Sequence, residues 1–194
     1  MSHALEHHHN TDATDVMGFW LYIMTDCVLF GSLFAAYLVL HQPHSFGPKL
    51  SEFINLYYVL GETFFLLLSN LTFGLAIISS YKNKTKLTIA FLVLTFLLGF
   101  GFVYMEVYEF VHLVHEGYSW HVSASASAFF TLVATHGLHV SFGLLWILIM
   151  TCQVAKFGLI GAMKRRLTYL GLFWNFLDIV WIFVFTVVYL LGSL

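Results

Sequence analysis

Five apolar stretches, each interrupted by an acid or a histidine, set the pattern of the chain: Met17–Leu40, Ile54–Ser80, Leu87–Leu113, Ala124–Cys152 and Thr168–Leu191. About 20 apolar residues cross the hydrocarbon of a bilayer as a helix. Every stretch is long enough, and some have length to spare for tilt. The polar positions sort around them. All eight lysines and arginines fall outside the stretches, whereas five of the ten acids fall inside: Asp26, Glu62, Glu106, Glu109 and Asp178. A carboxylate facing acyl chains is costly, so these five are expected to face protein. The pattern predicts an all-α integral membrane protein, a bundle of five transmembrane helices with a polar interior.

The segments between the spans agree. Both prolines, Pro43 and Pro48, sit in the first loop. No span contains one, so the unwound helices of many transporter sites are not signalled. Residues 1–16 form a polar tail rich in histidine (His3, His7, His8, His9) and free of lysine and arginine. It lacks the positive start of a signal peptide and is expected to be disordered. Residues 17–194 then make a single five-helix transmembrane domain.

Composition narrows the reading. Of the 194 residues, 60% are hydrophobic and only 9% charged, too few charges to cover a soluble domain. No basic face exists for a nucleic acid. The tail, second loop and fourth loop hold seven of the eight lysines and arginines, and Lys49 in the first loop is the eighth. The positive-inside rule places the N-terminus in the cytoplasm and the C-terminus outside. Cys27 and Cys152 fall at different depths, which argues against a disulfide. Neither has a second thiol nearby for a metal site, and both are read as core-packing residues.

The intramembrane polar groups are the candidate chemistry. Asp26 lies near the bilayer centre with no lysine or arginine at its depth. It is therefore protonated, hydrogen-bonded to another span, or paired with another chain. Gly31 and Ala35 form a small-xxx-small pair suited to close helix contact. Glu109 and His112 lie three apart and can meet on one helix face. Glu-x-x-His is the unit of di-iron bundle sites, but those need two copies and two further glutamates. Here there is one copy, with Glu62 and Glu106 to spare, so a hydrogen-bonded pair near the outer face is expected. His136 and His139 share a face and cannot both ligate one haem axially, so helix–helix hydrogen bonding is expected of them. Trp174, Asp178 and Trp181 share a face, with Asn175 close by. An indole N–H can donate to a carboxylate, which predicts a satisfied polar cluster.

Four segments carry a resemblance. Gly18–Phe30, Gly101–His112, Thr135–Val140 and Phe173–Tyr189 resemble, in order and spacing, subunit III of the haem–copper terminal oxidases. The five-span form, the histidine-rich tail and the Tyr81-Lys82-Asn83 turn look like the bacterial cytochrome o ubiquinol oxidase branch. The resemblance implies a non-catalytic subunit of a respiratory complex in the bacterial inner membrane. That complex oxidises quinol, reduces oxygen to water and translocates protons. It implies haems and copper in subunit I and none in this chain, packing against subunit I and the other subunits, support of its stability and proton uptake, and bound phospholipid. Asp26 falls where relatives carry an intramembrane glutamate. Asn175 departs from the family, where histidine is common, and a structural role is inferred there. No catalytic, cofactor or metal residue is assigned. Asp26, Glu62, Glu106, Glu109, His112, His136, His139, Asn175 and Asp178 are read as structural, lipid-facing or subunit-facing. Two alternatives stand beside this reading: a membrane di-iron or other metal-binding enzyme built on the Glu/His cluster, and a stand-alone proton carrier working through Asp26 and Asp178.

Overall fold

The computed structural model describes residues 2–40, 56–115, 117 and 121–190. The first-loop features, Lys49, Pro43 and Pro48, lie outside them. Among the described residues the order is α1 (Ser2–Leu40), α2 (Leu56–Tyr81), α3 (Thr85–His115), α4 (Ala124–Phe157) and α5 (Gly161–Val184), followed by a π-helical segment, Phe185–Leu190. All five helices are long and apolar enough to cross a membrane.

The helices outrun the apolar stretches by more than two residues at three ends. Helix α4 continues to Phe157, and α5 starts at Gly161 rather than Thr168. The basic run Lys164-Arg165-Arg166 lowers hydropathy without breaking a helix, since long cationic side chains reach back to the interface. The tail, expected to be disordered, has a helical backbone from Ser2. It contains no proline and no glycine, so a helix nucleated in the span can propagate backwards one bond at a time.

Local chemistry fixes the turns. Asn83 takes a positive φ of 57° at the α2–α3 turn, a conformation asparagine tolerates better than most residues. Its side-chain oxygen accepts from Lys164 Nζ at 2.7 Å. The second and fourth loops therefore meet on one side of the bundle. Ser123 caps α4 by accepting from the Ala126 N–H at 3.0 Å, and Gly158, at φ 72°, ends it.

Helices α2, α3, α4 and α5 close a ring in which each packs on the next and α5 returns to α2. Helix α1 lies outside the ring against α4, touching α5 more lightly. Its buried side chains are few: Asp26, Phe30 and Tyr37 mark one narrow stripe. On α4 the buried set Phe129, Leu132, Val133, His136, Val140 and Ile147 follows the spacing of a single helix face. The outer surface is mainly Leu, Val, Ile and Phe, with Tyr, Trp and Met among them.

Trp174 stands at the centre of the ring. Cβ atoms added at Gly99 of α3 and Gly143 of α4 would come within 3.1 and 2.8 Å of its ring carbons. Its indole N–H donates to Ser69 Oγ of α2 at 3.0 Å. One α5 side chain thus touches the three other helices of the ring.

Two sequence readings are corrected here. Cys27 and Cys152 are exposed on the lateral surface and do not pack in the core. Gly31 and Ala35 are also exposed, and nothing lies within 4 Å of a Cβ built at Gly31. In both cases α1 and α4 turn other residues inward, Asp26 and Phe30 on the first and Met150 and Val154 on the second.

Candidate functional site

The polar groups gather at three seams between helices. At the α1–α4 seam, His139 Nε2 lies 3.7 Å from Asp26 Oδ1. The histidine's other nitrogen, Nδ1, is 2.7 Å from the Thr135 carbonyl one turn back, and that bond holds the ring towards Asp26. The second Asp26 oxygen is buried without a partner in the chain. Asp26 thus lies against a second span, at a distance longer than a hydrogen bond.

At the α2–α5 seam, Asn70 uses its amide nitrogen twice. It donates to Asn175 Oδ1 at 2.8 Å and to Asp178 Oδ2 at 2.9 Å. Trp174 and Trp181 do not donate to Asp178, contrary to the sequence reading. Their indole nitrogens reach Ser69 Oγ at 3.0 Å and Thr63 Oγ1 at 3.1 Å. These residues share one face of α5, but α2 presents hydroxyls on that face. The carboxylate at the seam's edge takes the amide instead.

The third group lies in the half of the bundle towards the α3 C-terminus. Glu62 of α2, Glu106 and Glu109 of α3, and Tyr189 of the π-helical segment come together, close enough for the carboxyls to interact electrostatically. Tyr189 donates to Glu109 Oε2 at 3.2 Å. Glu109 therefore bonds across to the end of α5, while His112 turns to the exposed surface beside Tyr108. Glu106 lies over Gly137 of α4, where a Cβ would come within 2.6 Å of its carboxylate. Both Glu62 oxygens and Glu106 Oε1 are buried without partners.

His136 departs from its expected helix–helix hydrogen bond. It is fully buried, and neither ring nitrogen has a partner. Its ring stacks on Trp181 at 5.2 Å and meets the edge of Phe102 at 6.1 Å and Phe30 at 6.2 Å. Aromatic contact, not polar pairing, holds it. This also decides the fit of a haem: an axial histidine needs the open face of a ring plane beyond it, and here aromatic rings surround the imidazole. His136 does not fit the axial position of a haem.

The metal alternative fares no better. Of its six ligands, Glu62, Glu106 and Glu109 converge, whereas His112 faces outwards, His139 goes to Asp26 and His136 is enclosed. No group of three His, Cys, Asp or Glu among the described residues is arranged to hold a metal ion. What the geometry does is tie helices together through polar contacts at several depths.

Ser69, Thr63, Asn70 and Tyr189 carry much of this network, and the sequence does not single them out. Ser and Thr are common in membrane helices and bond to their own backbone, so a hydroxyl alone is no signal. The usable signal is the indole opposite, since a buried indole N–H needs an acceptor.

Comparison with known proteins adds a second line. The family model described as cytochrome c oxidase subunit III matches residues 2–193. The chain is 51% identical to cytochrome bo(3) ubiquinol oxidase subunit 3 of Pseudomonas aeruginosa over 194 residues, covering 100% of this chain and 93% of the relative. It is 51% identical to the Pseudomonas putida protein of the same name, covering 96% and 90%. It is 40% identical to quinol oxidase subunit 3 of Bacillus spizizenii, covering 97% and 92%.

Proposed function

The chain belongs to the cytochrome c oxidase subunit III family, and from that premise we propose how it serves a bacterial quinol oxidase without a catalytic centre of its own. It is a multi-pass protein of the bacterial inner membrane and acts as subunit III of a haem–copper ubiquinol oxidase in the respiratory chain. The observation that carries this is identity of 51% along the entire chain with proteins of that name.

The proposed role is structural support. The chain docks on subunit I, which holds the haems and copper, stabilises it and sustains its proton uptake. Helix-tying polar contacts support this reading: Asp26 with His139, Asn70 with Asn175 and Asp178, Tyr189 with Glu109. Asp26, Glu62, Glu106, Glu109, His136, His139, Asn175 and Asp178 then fix the bundle's shape, and His112 faces a neighbour or lipid. Phospholipid fills the remaining outer surface.

The N-terminus is assigned to the cytoplasm and the C-terminus to the outside. Seven of eight lysines and arginines on one side support that orientation, as does the Lys164–Asn83 bond joining the two basic loops.

The test is purification through this chain in mild detergent from its native membrane, with visible spectrum and metal content recorded. A large haem- and copper-bearing partner should come with it, and its removal should leave this chain colourless. A chain isolated alone with bound iron would overturn the proposal.

A further inference from the structure

We propose that the α2–α5 seam at Asn70 and Asn175 is the face on which a transmembrane helix of another oxidase subunit docks, through hydrogen bonds to these two amides. The inference rests on the reading of the chain as an oxidase subunit and adds which surface is used and by what chemistry.

Depth is the first argument. Asn175 sits midway along the span Gly161–Tyr189, and Asn70 near the middle of Tyr57–Tyr81. Neither can reach water or a lipid headgroup from there, because side chains that snorkel do so near helix ends. Asn175 is exposed on the lateral surface and Asn70 is partly so.

The second argument is which hydrogen bonds remain. Asn70 spends its amide nitrogen on Asn175 Oδ1 and Asp178 Oδ2. That leaves the Asn175 amide nitrogen as a donor and the Asn70 side-chain carbonyl as an acceptor, both without partners among the described residues. Five exposed hydroxyls inside the spans differ. Thr25, Ser32, Thr131, Ser141 and Thr186 each donate to a carbonyl of their own helix within 2.8 Å. Those groups are satisfied and can face acyl chains. Asn175 makes no such bond to its own helix, and lipid hydrocarbon offers no partner.

The occupant is therefore protein, spans the membrane, and presents both a donor and an acceptor at its midpoint, as asparagine, glutamine, serine or threonine does. Interhelical bonds of this type are the usual glue between membrane helices. Around the amides the surface is apolar and exposed, with Leu67 and Leu71 on α2 and Ile179 and Phe183 on α5. A flat helix can pack on that frame.

The test is photocross-linking in the assembled complex. A benzophenone side chain is placed at Ile179, at Leu71, or at Leu97, an exposed residue of α3 away from the seam. Ile179 and Leu71 should each form an adduct with a second, different polypeptide of the complex, and Leu97 marks the background. Adducts of Ile179 and Leu71 with lipid only, or with a second copy of this chain, would overturn the proposal while leaving subunit membership intact. A chain recovered with no other polypeptide would overturn both. Asn175→Leu supplies a second readout: co-purification should fall by about threefold to tenfold at unchanged levels of the chain in the membrane. Unchanged co-purification would remove the amide pair from the docking.

Discussion

Gly143→Ala puts the packing of Trp174 to a direct test. The added methyl carbon would stand 2.8 Å from Cζ3 of the indole and 3.1 Å from Cε3, with Phe173 Cε1 at 3.2 Å. Relief requires the ring to retreat from 2.8 Å to the 3.4 Å of ordinary contact, about 0.6 Å. On the α3 side the slack is only what the missing side chain of Gly99 leaves, since a Cβ there would lie 3.1 Å from Cη2 and Cζ2 of the same ring. A shift of that size directed away from Ser69 would also stretch the 3.0 Å bond beyond hydrogen-bonding range. Overpacking a core costs about 1–3 kcal/mol, and a buried group left unpaired costs about 1–3 kcal/mol more. Taking about 2 kcal/mol as the lower bound, the melting temperature should fall by roughly 4–8 °C for a chain of this size. Thermal unfolding in mild detergent, followed by tryptophan fluorescence, measures it. Trp174→Phe removes the crowded ring, so the double variant should lose less than the two single losses added together. A Gly143→Ala protein melting within about 1 °C of the parent would refute the reasoning.

Further outcomes follow from the same contacts. Tyr189→Phe leaves Glu109 Oε2 without the donor described at 3.2 Å, and stability should drop by about 1–3 kcal/mol in a detergent-denaturation titration; no change would mean the bond is not formed. Trp181→Phe removes the indole bond to Thr63 at 3.1 Å and part of the stack on His136. A loss of similar size, about 1–3 kcal/mol, is expected, and Thr63→Val should produce much of it alone. Asp26→Asn keeps a hydrogen-bonding side chain towards His139, so turnover per assembled complex should persist while the amount assembled falls. Loss of turnover in a normally assembled complex would contradict that. Cys27 and Cys152 should both react with N-ethylmaleimide in the detergent-solubilised chain before it unfolds, and protection of either would restore it to the core.

Much of the architecture is legible because membrane helices announce themselves by apolar length, and because an acid inside such a length must turn inward. Asp26, Glu62, Glu106, Glu109 and Asp178 are all buried in the structure, as that argument requires. Their partners are another matter. Glu109 meets Tyr189 rather than His112, eighty residues apart instead of three. Local spacing shows which groups can meet on one helix, never which neighbour lies opposite. The same limit explains the two tryptophans, placed on the right face of α5 but given the wrong acceptor. The exposure of Cys27 and Cys152 has a different reason. Cysteine is usually buried in water-soluble proteins, whereas here apolar side chains belong outside as well as inside.

The α2–α5 bonds, with one more between Tyr81 and Thr168 at 3.3 Å, also constrain how α5 can move. Tyr81 pairs with Thr168, Ser69 with Trp174, Asn70 with Asn175 and Asp178, and Thr63 with Trp181. These are the rungs of an antiparallel ladder running from one membrane face past the middle. Sliding α5 along its axis by one turn, about 5.4 Å, would break every rung at once and offer no equivalent set in the new register. Helix α5 therefore cannot work as a piston. Motion passed through α5, from a neighbouring subunit or from the bilayer, must carry α2 with it, as a tilt of the pair.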